Sequence, residues 1–176
     1  MKTPVVFSDG SDIYARLRKE YITHKEGRFI LASSGTGKTH YVKNQKDAHW
    51  VDGDYFWPLT NADLLPDEWV YDFSLVDEVN KRCDVMTQQA KKQGLWIIGS
   101  SNNWLQPDAI VILDEETQKQ YILDRQDGDY DGGATEKDFS AVQRHNTFIK
   151  TWTEKGVPQF SSIEEAAQHF IDLESN

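Results

Sequence analysis

The stretch Ser33-Ser34-Gly35-Thr36-Gly37-Lys38-Thr39 has the residue types of a polyphosphate cradle. Its glycines and small hydroxyl residues let successive backbone N–H groups converge on an anion, because no bulky Cβ substituent blocks the approach. Lys38 adds an ammonium that reaches the β- and γ-phosphates, and the Thr39 hydroxyl is suited to ligate Mg²⁺. The full signature sets a glycine five residues ahead of the glycine of Gly-Lys-Thr. Ala32 stands at that first position, where only a small residue is needed. The bland alternative is an ordinary Gly/Ser turn in front of a helix.

A second group of residues could act on an acceptor. Asp52-Gly53-Asp54 follows the β-like run His49-Trp50-Val51, and Tyr55-Phe56-Trp57 follows the aspartates. A neutral alcohol becomes a nucleophile only as its proton leaves, so a carboxylate at a strand end could orient or deprotonate one. Either aspartate could be that base, with the other near Mg²⁺. Strand alternation would point the two to opposite faces unless Gly53 bends the chain. A polar strand-to-loop turn is the competing explanation. No Lys or Arg lies between Lys46 and Lys81, a stretch crowded with carboxylates and aromatics. A dianionic acceptor calls for arginines, and only one of Lys81 and Arg82 on the next helix could face inward. A hydroxyl acceptor without charge is therefore favoured, and a planar one could stack on Tyr55, Phe56 or Trp57. Core cover is the alternative for each ring.

These residues need elements to hold them. Phe29 to Ala32 reads as a buried strand, and His40 to about Gln45 as the helix after the loop. A helix carries Phe73, Val76, Val79, Cys83, Met86 and Ala90 inward and stops at Gly94. Leu95 to Ile98 and Ala109 to Leu113 are continuous apolar runs, as expected of strands covered on both faces. Asp114 to Arg125 is helical, and a polar loop spans 127–133. A helix from about Thr135 to Lys155 turns Phe139, Val142, Phe148 or Ile149, and Trp152 inward. After a short strand, Val157 to Phe160, a last helix opens with a Ser161-x-x-Glu164 capping box and buries Ile163, Ala167, Phe170 and Ile171. Ahead of the loop strand, Pro4 to Phe7 is β-like, and a helix capped by Ser11 or Asp12 presents Ile13, Leu17 and Tyr21 on one face. Alternation of strands and helices predicts a mostly parallel sheet with right-handed crossovers. Ligands then bind at the carboxyl ends of its strands, where the glycine loop, Asp52, Asp54 and Gly99-Ser100 all fall.

The chain has 176 residues, fitting one domain, and a net charge of −10. That balance argues against a general binder of nucleic-acid backbones. One cysteine, Cys83, excludes an intramolecular disulfide and fits a reducing compartment; a small buried residue on a helix is its simplest role. No apolar run reaches transmembrane length and no signal peptide is visible, so a soluble cytoplasmic protein (host cytoplasm if viral) is expected.

With these residues placed, residues 28 to 172 resemble the P-loop small-molecule kinases, a group that includes nucleotide kinases, shikimate kinase and gluconate kinase. The resemblance implies an α/β, three-layer P-loop NTPase fold whose mostly parallel five-stranded sheet is flanked by helices. It implies a kinase domain over 27–176 with a lid at about 124–137, and a leader helix within 1–26 packed on the core. Ile110 to Leu113 with Arg125, then Lys137-Asp138, Val142, Arg144 and Phe148, are similar to the lid strand and lid helix of nucleotide kinases. By that likeness Arg125 and Arg144 would contact the triphosphate as catalytic cations. Asp52-Gly53-Asp54 is similar to the Asp-x-Asp of shikimate kinase-like enzymes. ATP and Mg²⁺ would be the cofactors, with Ser33 to Thr39 on the nucleotide and Thr39 and Asp52 on the metal. Asp54, Tyr55, Phe56, Trp57 and Ser100 would meet the acceptor. The third strand ends in Gly99-Ser100-Ser101 without the acidic residue nucleotide kinases often have there. The expected partners are a nucleoside triphosphate and a small hydroxyl compound such as a nucleoside or, by resemblance to kinases of virus-encoded DNA modification, a hydroxymethylated base. A base in DNA would have to be flipped out, against the acidic charge, with only Arg125, Lys137, Arg144 and Lys150 to compensate. Two alternatives stay open: a deoxynucleoside monophosphate kinase, and an ATPase or switch without an acceptor. Oligomeric state is left open.

Overall fold

Apolar runs bounded by glycine or polar turns become strands, and residues with a stripe every three or four positions become helices. The chain follows that rule in the computed structural model, which describes residues 13–60, 65–66, 68–128 and 133–176. Five strands, β1 (Arg28–Ala32), β2 (Trp50–Asp52), β3 (Trp96–Gly99), β4 (Ala109–Val111) and β5 (Gln159–Phe160), form one parallel sheet in the order β2-β3-β1-β4-β5. Helices α1 (Ile13–Glu20), α2 (Lys38–Asn44), α3 (Phe73–Lys92), α4 (Glu115–Asp127), α5 (Phe139–Lys150) and α6 (Ile163–Ser175) connect and flank the strands. The α/β class and the five-stranded parallel sheet are as the alternating pattern and the family likeness imply. β1 is the central strand, and strand order reverses at it, the place where open α/β sheets bind ligands. All four residues of β3 and all three of β4 are buried, as their unbroken apolar sequence demands.

The chain divides into two compact units, residues 1–29 with 45–105, and residues 30–44 with 106–176. In the first, β2 and β3 pair Trp50 with Trp96 and Val51 with Ile97. Helix α3 covers them with Val79, Cys83, Met86 and Ala90, and Asp72 caps its first turn by accepting from the Ser74 and Leu75 amides. Ile13 and Leu17 of α1 are fully buried, and the Tyr14 hydroxyl donates to Met86 O at 3.3 Å. In the second unit, β4 pairs with β1 and β5, and α6 buries Ile163, Ala166, Ala167 and Phe170.

Several expectations are corrected. Phe73 is 85% exposed, because α3 begins there and its first turn lies ahead of the covered stripe. The connection after β2 is a 3₁₀ helix, Gly53–Thr60. The segment expected as one helix from Thr135 to Lys155 is a 3₁₀ turn (Glu136–Asp138), then α5, then a second 3₁₀ turn (Thr151–Lys155). Ile149 rather than Phe148 faces the core, since it follows Val142 by two helical turns. The cap of α6 is shifted by one residue. Ser162 Oγ accepts from the Glu165 amide, and Glu165 in turn accepts from the Ser161 amide and hydroxyl. Ile171 is only partly buried, and Tyr21 lies just past the end of α1. The expected run Pro4 to Phe7, the Ser11 or Asp12 cap and positions 129–132 of the polar loop lie outside the described residues. Among the described residues, no helix is long and apolar enough to cross a membrane.

Candidate functional site

The loop that leaves β1 is built for close backbone approach. Gly35 and Gly37 have φ of +79° and +89°, the left-handed region that side chains disfavour. A Cβ on Gly35 would also lie 2.5 Å from Cγ1 of Ile122 on α4. Between the glycines, Thr36 Oγ1 donates to Ser33 O at 2.8 Å, and Lys38 Nζ donates to the same oxygen at 2.9 Å. Ser33, Thr36 and Lys38 are buried, while Ser34, Gly37 and Thr39 are partly exposed. The Tyr41 amide donates to Gly37 O, so the helical bonding starts at the second glycine.

Two helices hold this loop from its back. The Ser33 hydroxyl donates to Asn146 Oδ1 on α5, Asn146 Nδ2 donates to Gln118 Oε1 on α4 (2.7 Å), and Gln118 Nε2 donates back to Ser33 Oγ (2.8 Å). This closed ring of three side chains is buried. The second Gln118 proton goes to Ser34 O at 2.8 Å. Gln118, Ile122 and Arg125 are four and three residues apart, so one stripe of α4 serves the whole segment. Ile122 backs Gly35, and Arg125 Nη2 donates to Ala134 O at 2.7 Å. The Ala134 amide then donates to Ser34 Oγ at 3.2 Å. Arg125 therefore braces the segment after α4. Arg144 and Lys150 are exposed on α5, and Lys137 is exposed on the 3₁₀ turn before it. The neighbour of Arg144, partly buried His145, feels the Lys38 ammonium. Burial first, and Lys38 second, push its imidazole pKa down to about 4.

The expected acceptor residues belong to the other unit. β2 ends at Asp52, and Gly53 turns the chain straight into the 3₁₀ helix, so strand alternation does not govern Asp54. Gly53 is required by contact, because a Cβ there would lie 2.7 Å from the Gly99 Cα. Asp52 Oδ1 accepts from the Asp54 amide at 3.0 Å, closing a turn, while Asp54 itself is exposed. Trp57 is 39% exposed, donates from Nε1 to Ser101 Oγ at 2.6 Å, and packs its ring 5.1 Å from that of Trp69. Phe56 is a core ring, 1% exposed, so of the three aromatics it is the one that covers the core. Tyr55 lies under the Arg16 guanidinium. Ser100 is partly exposed at the end of β3.

Beside Ser101, the Cys83 thiol is buried on α3, and that burial pushes its pKa up to about 12. Next to it, Asp84 holds the loop after β3. Its carboxylate accepts from Asn102 Nδ2 and from the amides of Asn103, Trp104 and Leu105, at 2.6–3.1 Å. Burial raises the Asp84 pKa above 3.8, and these donors partly offset that rise. Of the two cations at the end of the acidic stretch, Lys81 pairs with Asp77 at the surface, while Arg82 is buried. Arg82 donates to Glu78 and Thr60 O, and its Nη2 has no hydrogen-bond partner among the described residues.

No protein-family model and no curated protein matches this chain. Sequence reasoning singled out Ser33 to Thr39 but missed Gln118, Asn146 and His145. One signal was available: Asn146 sits four residues after Val142 and three before Ile149, a polar residue inside an apolar stripe. Gln118 stands in the same relation to Ile122. Nothing in the sequence distinguishes Asp84 from the other carboxylates of its region.

Proposed function

We propose that this protein is an ATP- and Mg²⁺-dependent P-loop kinase that hands the γ-phosphoryl group to a neutral hydroxyl acceptor of the nucleoside or hydroxymethylated nucleobase class, free or within DNA. One observation carries the reading. Two left-handed glycines flank Thr36 at the end of the central strand, and the buried Lys38 sits beside them. Loops of that shape turn backbone N–H groups onto an anion, and a lysine ammonium complements the terminal phosphates. Thr39 offers a hard hydroxyl oxygen of the kind Mg²⁺ prefers. The metal would neutralise charge developing on the transferred group.

On the acceptor side, Asp54 is the better candidate base. It is exposed on the 3₁₀ helix that follows β2, while Asp52 at the strand end is only partly exposed. Trp57, fixed by Ser101, offers a ring for a planar acceptor. A second reading, a deoxynucleoside monophosphate as acceptor, rests on the likeness of Arg125 and Arg144 to the lid cations of nucleotide kinases, and stands against the lack of Lys or Arg between Lys46 and Lys81.

ATP consumption is measured with nucleosides, hydroxymethylated bases, sugar alcohols, monophosphates, base-modified DNA, or no acceptor. Turnover with a neutral hydroxyl compound, lost in Lys38→Ala and reduced at least about 100-fold in Asp54→Asn, is expected. Turnover only with monophosphates would establish the second reading, and turnover without acceptor would make the protein an ATPase.

A further inference from the structure

We infer that the Ser33–Gln118–Asn146 ring is the device that sets the phosphate loop's affinity, which makes Gln118 and Asn146 positioning residues of the nucleotide site. This inference rests on the kinase reading above.

Ser33 is the hub of the loop. Its carbonyl accepts from Thr36 Oγ1 and Lys38 Nζ, while its hydroxyl accepts from Gln118 and donates to Asn146. A ligand phosphate that draws Lys38 away removes one of the two bonds to that carbonyl. Thr36 and the ring then keep Ser33 in place. The ring admits one orientation of each amide. Turning Gln118 over would aim its carbonyl at Ser34 O, which accepts from Nε2 at 2.8 Å. Turning Asn146 over would set its carbonyl oxygen against Gln118 Oε1, two acceptors with no proton between them. Buried polar groups that satisfy one another in this way hold a single geometry, and opening the ring leaves the rest unsatisfied. A loop fixed before the ligand arrives loses little conformational freedom on binding. Helices α4 and α5 thus contribute to nucleotide affinity through residues that touch Ser33 and Ser34 rather than the ligand.

Mg·ATP is titrated calorimetrically into the full chain and into Gln118→Met, Asn146→Leu and the double variant. Hydrogen–deuterium exchange is followed over residues 28–39 without ligand. Each single variant should lose affinity about tenfold, and the double about threefold more at most, since one substitution already opens the ring. Exchange should quicken over 33–37 and stay slow in β1. If Gln118→Met does not fold, Ser33→Ala carries the test, because it removes the ring's hydroxyl yet spares the Ser33 carbonyl and the Gln118 bond to Ser34 O. Ser33→Thr, which restores the hydroxyl, should return affinity to within about threefold of the parent, a rescue that packing alone would not produce. Folded variants that bind within about twofold of the parent overturn the inference. A parent chain that does not bind Mg·ATP overturns the kinase reading instead. In that case unchanged loop exchange in the variants overturns the ring's positioning role, and faster exchange upholds it.

Discussion

Lys38 Nζ donates to the carbonyl oxygen of Ser33 across 2.9 Å, inside the loop that its charge would serve. The ammonium is thus held in a defined place before any anion arrives, and Thr36 shares the same acceptor. Lys38→Met should cost only about 1 kcal/mol of stability, since Ser33 O keeps its bond to Thr36. On the kinase reading, affinity for Mg·ATP should fall about 100-fold. Urea denaturation and calorimetry on the same samples separate the two effects. A loss of stability well beyond 1 kcal/mol would mean that Lys38 is there for the fold.

His145 reports on the same ammonium. Its pKa is lowered from 6.5 to about 4, by burial and then by Lys38. Between those values the unfolded chain binds more protons than the folded one, so this contribution to stability rises with pH from about 4 to 6.5 and is lost as pH falls. His145→Gln should flatten the stability profile over that window. In an NMR titration, Lys38→Met should move the His145 pKa upward. No movement would mean that the two side chains do not interact.

Gly35 combines a φ of +79° with an Ile122 side chain where a Cβ would go. Gly35→Ala should destabilise the protein by about 1–3 kcal/mol through backbone strain and overlap. Adding Ile122→Val should recover part of the loss if overlap contributes. Gly37 has only Tyr121 at 3.9 Å from such a Cβ, so its substitution tests backbone strain alone. Thermal melts of the two alanine variants measure the difference, and Gly35→Ala should melt lower.

Asp84 titrates in the opposite sense to His145. Its folded pKa lies above the ordinary 3.8, so the folded chain binds more protons just above that value and this contribution to stability falls as pH rises through the window. Asp84→Asn should remove that slope, seen by urea denaturation from pH 4 to 7. Asp84→Ala should cost about 3 kcal/mol, because the amides of Asn103, Trp104 and Leu105 lose their acceptor. A neutral effect of alanine would show that water replaces the carboxylate.

Ser101 fixes the Trp57 indole, and it lies on the loop that Asp84 anchors. Ser101→Ala frees the indole N–H and should raise the acceptor KM several-fold, on the kinase reading, while leaving the nucleotide KM unchanged. Steady-state kinetics against each substrate makes the comparison. Equal rises in both constants would remove Trp57 from the acceptor site.

Much of the fold was legible because its causes are local. The runs at Phe29 to Ala32, Leu95 to Ile98 and Ala109 to Val111 are apolar without interruption, and buried parallel strands have no other requirement. Val142 and Ile149, or Val79, Cys83 and Met86, repeat at helical spacing, so the covered faces could be read directly. The 3₁₀ helix after Gly53 escaped detection because its aromatic and proline residues fit a loop equally well.

The sequence by itself determined the glycine loop, the strand before it and the helix after it, since the Gly-x-Gly-Lys-Thr spacing and the apolar run fix those conformations through neighbours in the chain. Only the tertiary structure decided what stands behind that loop. Ser33, Gln118 and Asn146 lie on three separate elements, and single-residue spacing carries no record of a bond between positions so far apart. It also decided that Arg82 turns inward while Lys81 stays at the surface, and that Asp52 closes a turn while Asp54 remains exposed. The reason is the same in each case. A polar side chain is assigned its role by the donors and acceptors that folding brings to it, and those come from distant parts of the chain.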